Sequence, residues 1–122
     1  MGKFYPPSIE GTLPAFTNSS ITIPFVMNKT VSWNTIKGFV LKVKNITNNS
    51  LIGDYNSENY SRGKQEVYFN IISDINKFKI GQFYKVQLAY RNSENEIGYF
   101  STVGIIKYTA VPKVTITGLT PA

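Results

Sequence analysis

Residues 78–109, FKIGQFYKVQLAYRNSENEIGYFSTVGIIKYT, decide the fold. The run opens with a corner, Phe78-Lys79-Ile80-Gly81-Gln82-Phe83-Tyr84. Strict alternation follows, with Tyr84, Val86, Leu88 and Tyr90 on one face and Lys85, Gln87, Ala89 and Arg91 on the other. The polar run Asn92-Ser93-Glu94-Asn95-Glu96 makes a turn. A second strand is expected to return from Gly98 to Thr109. Such a hairpin has one apolar face and is not stable alone in water, so the rest of the chain must cover it.

Working outward, the same period recurs. Gly38 to Asn45 places Phe39, Leu41 and Val43 inward and Lys42 and Lys44 outward. Gln65 to Ile71 places Val67, Phe69 and Ile71 inward. Ser20 to Met27 does the same with Ile21, Ile23, Phe25 and Met27, and Pro24 on the outward set predicts a bulge or an early strand end. Residues 5–16 read as an extended entry segment, since their prolines forbid a helix. Residues 54–64, DYNSENYSRGK, read as a polar, mobile loop after a short strand at Leu51-Ile52-Gly53. Helical turns are expected only at 32–36 and 73–76. Short strands with turn signals every 8–12 residues predict an all-β sandwich of about seven strands.

The chain has 122 residues, enough for one domain, which is assigned to residues 1–111. Residues 112–122 loosely repeat the Pro-to-Ala pattern of residues 7–15. They are read either as a C-terminal strand or as the start of a following domain. Hydrophobic residues make up 42% and aromatics 14%, which supports a buried core built on sheets. No apolar run approaches the ~20 residues needed to span a bilayer, so no membrane insertion is expected.

The chain contains no Cys and no His. That removes disulfides, thiolate nucleophiles, the usual zinc sites and histidine bases. The 7 acids include two loop pairs, Asp54 with Glu58 and Glu94 with Glu96, and neither has the Asp-rich calcium pattern. No catalytic set, metal or cofactor is therefore expected, and the chain is read as not an enzyme. The net charge is +6, but the lysines stand singly at Lys42, Lys44, Lys85 and Lys107, and Arg62 and Arg91 are the only arginines. A specific nucleic-acid groove is not expected from that scatter. The charge is read as a soluble basic surface, with an anionic partner such as a teichoic-acid-like polymer as the alternative.

The spacing Phe78-x-Ile80-Gly81-x-x-Tyr84 resembles the fibronectin type III family, whose pattern at this corner is Leu-x-Pro-Gly-x-x-Tyr. Gly98-Tyr99-Phe100-Ser101 is similar to that family's entry to its last strand, and Pro6-Pro7 to its proline-rich start. The resemblance spans residues 5–110. It implies a tyrosine corner carried by Phe78, Gly81 and Tyr84. The chain departs from the pattern where the family buries a tryptophan in its second strand. Phe25 or Ile23 stands there, and Trp33 lies further on. No Arg-Gly-Asp occurs at residues 91–97, so integrin-type adhesion does not carry over.

Stretches such as IEGTLPAF, ITIPFVMN and GFVLKVKN also resemble immunoglobulin-like domains of tailed-bacteriophage virion proteins. That resemblance implies a structural or adhesion module of a tail, neck or capsid decoration, displayed in many copies and located in the virion. The alternative is a carbohydrate-binding or spacer module of a bacterial surface protein or secreted glycoside hydrolase, located at the cell surface. Partners would be other virion or surface proteins, or a cell-surface glycan. Candidate contact residues are Trp33, Tyr55, Tyr60, Asn92 and Glu94 in the loops, and Lys42, Lys44 and Lys85 on outward strand faces. Tyr68 and Tyr99 are further aromatics expected at the surface.

Overall fold

The inward rows of the alternating runs face one another across two sheets. In the computed structural model, which describes residues 4–9 and 13–110, the strands are β1 (Ser20–Pro24), β2 (Ile36–Asn45), β3 (Leu51–Ser57), β4 (Tyr60–Ser61), β5 (Glu66–Asn70), β6 (Phe83–Asn92) and β7 (Gly104–Lys107). One sheet has the order β1-β5-β4 and the other β3-β2-β6-β7. All named pairings are antiparallel. Among the described residues the helical turns are two short 3-10 segments, Trp33–Thr35 and Ile72–Lys77. The first starts where the Ser32 hydroxyl accepts the Asn34 N–H at 3.3 Å. Over the described residues the chain is an all-β sandwich of seven strands.

The core follows the period-2 pattern. Phe39, Leu41 and Val43 of β2 and Val86, Leu88 and Tyr90 of β6 are each 0% exposed, as are Ile21, Ile23 and Val67 from the opposing sheet. β2 and β6 pair from Ile36↔Asn92 to Asn45↔Tyr84, which makes them the central pair of their sheet. β1 ends at Pro24, whose missing N–H faces away from β5, since the Phe25 N–H just beyond it still donates in register to the Gln65 carbonyl at 3.0 Å. The entry segment crosses from one sheet to the other. Ser8 and Val26 exchange backbone hydrogen bonds at 2.9 and 2.8 Å. Further on, Phe16 takes a parallel bridge to Tyr108 beside β7. Ile9, Leu13 and Phe16 are buried in this crossing and close the side of the sandwich.

Two expectations need correction. The return strand was expected over 98–109, but β7 covers only Gly104–Lys107. Ser101 is the cause. Its N–H donates to the Leu88 carbonyl at 2.8 Å, while its buried hydroxyl accepts the Leu88 N–H at 2.9 Å. A side-chain oxygen stands where a ladder carbonyl would be, so residues 98–103 run beside β6 without continuing a regular strand. Residues 54–64 are also more ordered than a polar composition implies. β3 continues to Ser57 through the pairs Leu41↔Tyr55, Val40↔Asn56 and Phe39↔Ser57, and β4 follows. An edge strand of this kind needs few apolar residues, so composition hides it. The assignment of residues 112–122 lies outside the described residues.

Leu41 is fully buried at the centre of β2, whereas Leu51 at the start of β3 is 54% exposed. Leu41→Ala should cost about 2–5 kcal/mol and Leu51→Ala no more than about 0.5 kcal/mol, read as shifts in urea midpoint at unchanged slope.

Candidate contact surfaces and the corner

The corner is set by one glycine and one tyrosine. Gly81 has φ +88°, a left-handed conformation that a side chain would strain. That turn brings the Gly81 N–H onto the Tyr108 carbonyl at 2.7 Å. Tyr84 is 2% exposed, and its hydroxyl accepts the Lys79 N–H at 2.7 Å. Phe78 packs edge-on against Tyr84, with ring centroids 4.8 Å apart, and against Phe16 at 5.3 Å. Ile80, in contrast, points to solvent at 63% exposure. The corner therefore locks the chain that enters β6 to the core, the entry segment and the end of β7.

At the other end of the sandwich, Trp33 lies face to face with Tyr60, with centroids 5.7 Å apart and planes 10° from parallel. The Arg62 guanidinium sits 5.2 Å from the Trp33 ring centre. Both aromatics are half-buried against the core, so they close this end and offer only part of each ring outward. Tyr55, expected at the surface, is buried at 8% exposure. Its position opposite Leu41 turns it inward, and its hydroxyl donates to Asp74 Oδ2 at 2.8 Å. Burial, then the hydrogen bond and charge of Asp74, pushes its ionisation far above the usual tyrosine range. Tyr55 is thus a core residue and not a contact. Tyr68 is half-buried, with its hydroxyl on Glu66 Oε1 at 2.9 Å. The tyrosines most open to solvent are Tyr5 at 62% and Tyr99 at 51%, with ring centres 6.4 Å apart. Nothing in the alternation marks Tyr5, because it precedes the first strand.

Asn92 and Glu94 lie in the β6 exit. Asn92 Oδ1 accepts the N–H of Glu94 at 3.0 Å and of Glu96 at 2.9 Å, and its amide donates to Glu96 Oε1 at 2.9 Å. Asn92 is therefore the organiser of the tip, and Glu94 is what the tip exposes. Arg91 adds a bond to Asn95 Oδ1 at 2.9 Å.

The lysines gather on the outer face of the four-stranded sheet. Lys44 and Lys85 are direct cross-strand partners, and Lys42 lies opposite Gln87. Leu51 flanks Lys44 on β3, and Ile105 flanks Lys85 on β7. Lys107 lies 5.5 Å over the Phe83 ring and Lys42 lies 4.5 Å from the Phe100 ring. Among the described residues, the ion pairs within 4 Å are Lys77–Asp74 and Arg91–Glu58, so none of these four lysines has a carboxylate partner. Phe83 is 46% and Ile105 41% exposed on the same face. Phe83 shares the outward parity of Lys85 and Gln87, so the alternation already contained this signal.

No family model matches the chain, and no curated protein matches it. Solved structures do. The chicken CNTN1 FN1-FN3 domains align with a TM-score of 0.61 at 16% identity, covering 93% of this chain and 37% of that one. The fibronectin type III domain of human fibronectin type III domain containing protein 3 aligns at 0.51 with 14% identity, covering 91% of this chain and 90% of that one. The fold is fibronectin type III-like. The twitchin kinase region from C. elegans also aligns, at 0.56 and 9% identity over 97% of this chain. The chain spans 37% of the CNTN1 structure and 19% of the twitchin one. In this fibronectin type III-like frame, Tyr84 ties the corner to β6, the strand that carries Lys85 on the lysine face.

Tyr84→Phe removes the acceptor for the Lys79 N–H. It should lower stability by about 1 kcal/mol, and more if that N–H finds no water, measured by denaturant unfolding.

Proposed function

We propose that the chain is a non-catalytic contact module of a virion protein, set in a tail, neck or capsid decoration and acting in many copies through assembly contacts or host-surface attachment. The observation that carries this reading is the outer face of the β3-β2-β6-β7 sheet. Like charges placed directly opposite across strands destabilise a sheet, yet Lys44 and Lys85 face each other with no carboxylate of the described residues within 4 Å. A folded protein that keeps such a local conflict commonly does so at a functional surface. The exposed Leu51, Phe83 and Ile105 beside the lysines add apolar area of the kind that a partner covers. A face of this kind suits a standard interface of ~800 Å² per partner carrying an acidic patch. Repetition raises avidity without new contacts, so each single contact can be weak. The resemblance of the sequence to virion immunoglobulin-like domains supports the setting.

The lysine pair gives a two-sided test. Lys44→Glu turns the repulsion with Lys85 into attraction, so it should raise the stability of the isolated chain by a few tenths to about 1 kcal/mol. In purified particles, lysine-reactive cross-linking should join Lys44, Lys85 or Lys107 to another particle protein, and Lys44→Glu should weaken incorporation. Particles that form and adsorb normally without any trace of the chain by mass spectrometry would overturn the reading.

A further inference from the structure

A cleft of about 350 Å³ opens at the end of the sandwich opposite Trp33, where β2 finishes and β6 starts. It is lined by Asn45, Thr47 and Asn48 from the β2–β3 turn, by Lys77 and Lys79, and by Gln82 and Tyr84 of the corner. Its size falls in the lower part of the range for small-molecule sites, ~300–1,000 Å³. The hydrogen-bond inventory of these side chains is one-sided. Asn45 Oδ1 accepts the N–H groups of Thr47 at 2.8 Å and Asn48 at 3.4 Å, so its amide NH₂ is left unspent. Asn48 Oδ1 likewise accepts the Ser50 N–H at 3.0 Å, which leaves a second NH₂. Among the described residues the Lys79 ammonium has no carboxylate within 4 Å, while Lys77 pairs with Asp74 at 3.5 Å.

Tyr84 supplies the independent observation. Tyr84 is 2% exposed and lines this cleft, and its hydroxyl oxygen already accepts the Lys79 N–H. Among the described residues no acceptor takes the hydroxyl's own proton. The cleft thus combines three amide NH₂ groups, on Asn45, Asn48 and Gln82, with an ammonium and the O–H of buried Tyr84. The side-chain acceptors left over are on Thr47 and Gln82 and the second lone pair of Asn48 Oδ1. A donor-rich, acceptor-poor lining fits a ligand that is acceptor-rich and negatively charged. The lysine face also runs up to its rim, since Lys44 and Lys85 directly adjoin Asn45 and Tyr84.

From this we infer that the cleft binds one acidic sugar residue, a hexose carrying a carboxylate or a phosphate. The anionic group sits against the Lys79 ammonium and the Tyr84 hydroxyl, and sugar hydroxyls lie on the Asn45, Asn48, Thr47 and Gln82 side chains. The inference stands apart from the lysine-face contact and does not need the virion setting.

The test is titration of the ¹⁵N-labelled chain with glucuronate, glucose 6-phosphate, glucose and inorganic phosphate, followed by amide chemical shifts. The expected result is saturable shifts at Asn48, Lys79, Gln82 and Tyr84 with glucuronate or with glucose 6-phosphate. Whichever acid binds more tightly identifies the anionic group. Glucose and inorganic phosphate should each bind at least roughly tenfold more weakly, because each lacks one half of the contact. Lys79→Glu and Asn48→Asp, on exposed side chains outside the core, should each weaken the acid by roughly tenfold or more while the amide spectrum remains that of the folded chain. Three results would overturn the inference: glucose or phosphate binding as well as the acids, shifts confined to residues outside the cleft, or affinity unchanged in both variants.

Discussion

The hydrogen bond from the Lys79 N–H to the Tyr84 hydroxyl fixes where β6 begins, and β6 carries most of what this domain presents. With Tyr84 pinned, alternation sends Val86, Leu88 and Tyr90 into the core and leaves Lys85 and Gln87 on the outer face. The long pairing with β2 then places Lys44 opposite Lys85. A slip of one residue would exchange the two faces, burying lysines and exposing the core row. The corner and the depth of the core therefore set the register on which the contact surface depends. The same bond occupies one lone pair of the Tyr84 hydroxyl and leaves its proton free for another acceptor.

Much of this was legible in the amino-acid sequence because one face of each long strand is buried. Phe39, Leu41 and Val43 stand two residues apart, and so do Tyr84, Val86, Leu88 and Tyr90, with polar residues between them. What the alternation could not show were positions where a side chain stands in for the backbone or where an edge strand is polar. Ser101 reads as an ordinary strand residue until its hydroxyl is found accepting the Leu88 N–H. Tyr55 reads as a loop aromatic, because Asp54, Asn56 and Ser57 around it lack the apolar partners that mark a buried strand. Only pairing with β2 reveals that its parity is inward.

The candidate surfaces divide along the same line. The lysine face follows from strand parity alone, and Phe83 belongs to it by the same parity. The acidic-sugar cleft does not, since it joins a turn at 45–48 to a corner at 79–84. Its donor character comes from amide oxygens folded back onto the backbone in Asx turns, which the residue types do not specify. Trp33 shows the opposite case. It is conspicuous in composition, yet it is largely spent on Tyr60, Phe25 and the Arg62 guanidinium at the end of the core.

The central claim is that the corner is an integral part of the folded state and not a local turn resting on it. Native-state hydrogen exchange of the Lys79 amide tests this most directly. If the corner opens only when the sandwich opens, that amide exchanges with the same free energy as the slowest amides of the β2–β6 ladder. Exchange of Lys79 at the rate of exposed loop amides, with the ladder still protected, would contradict the account.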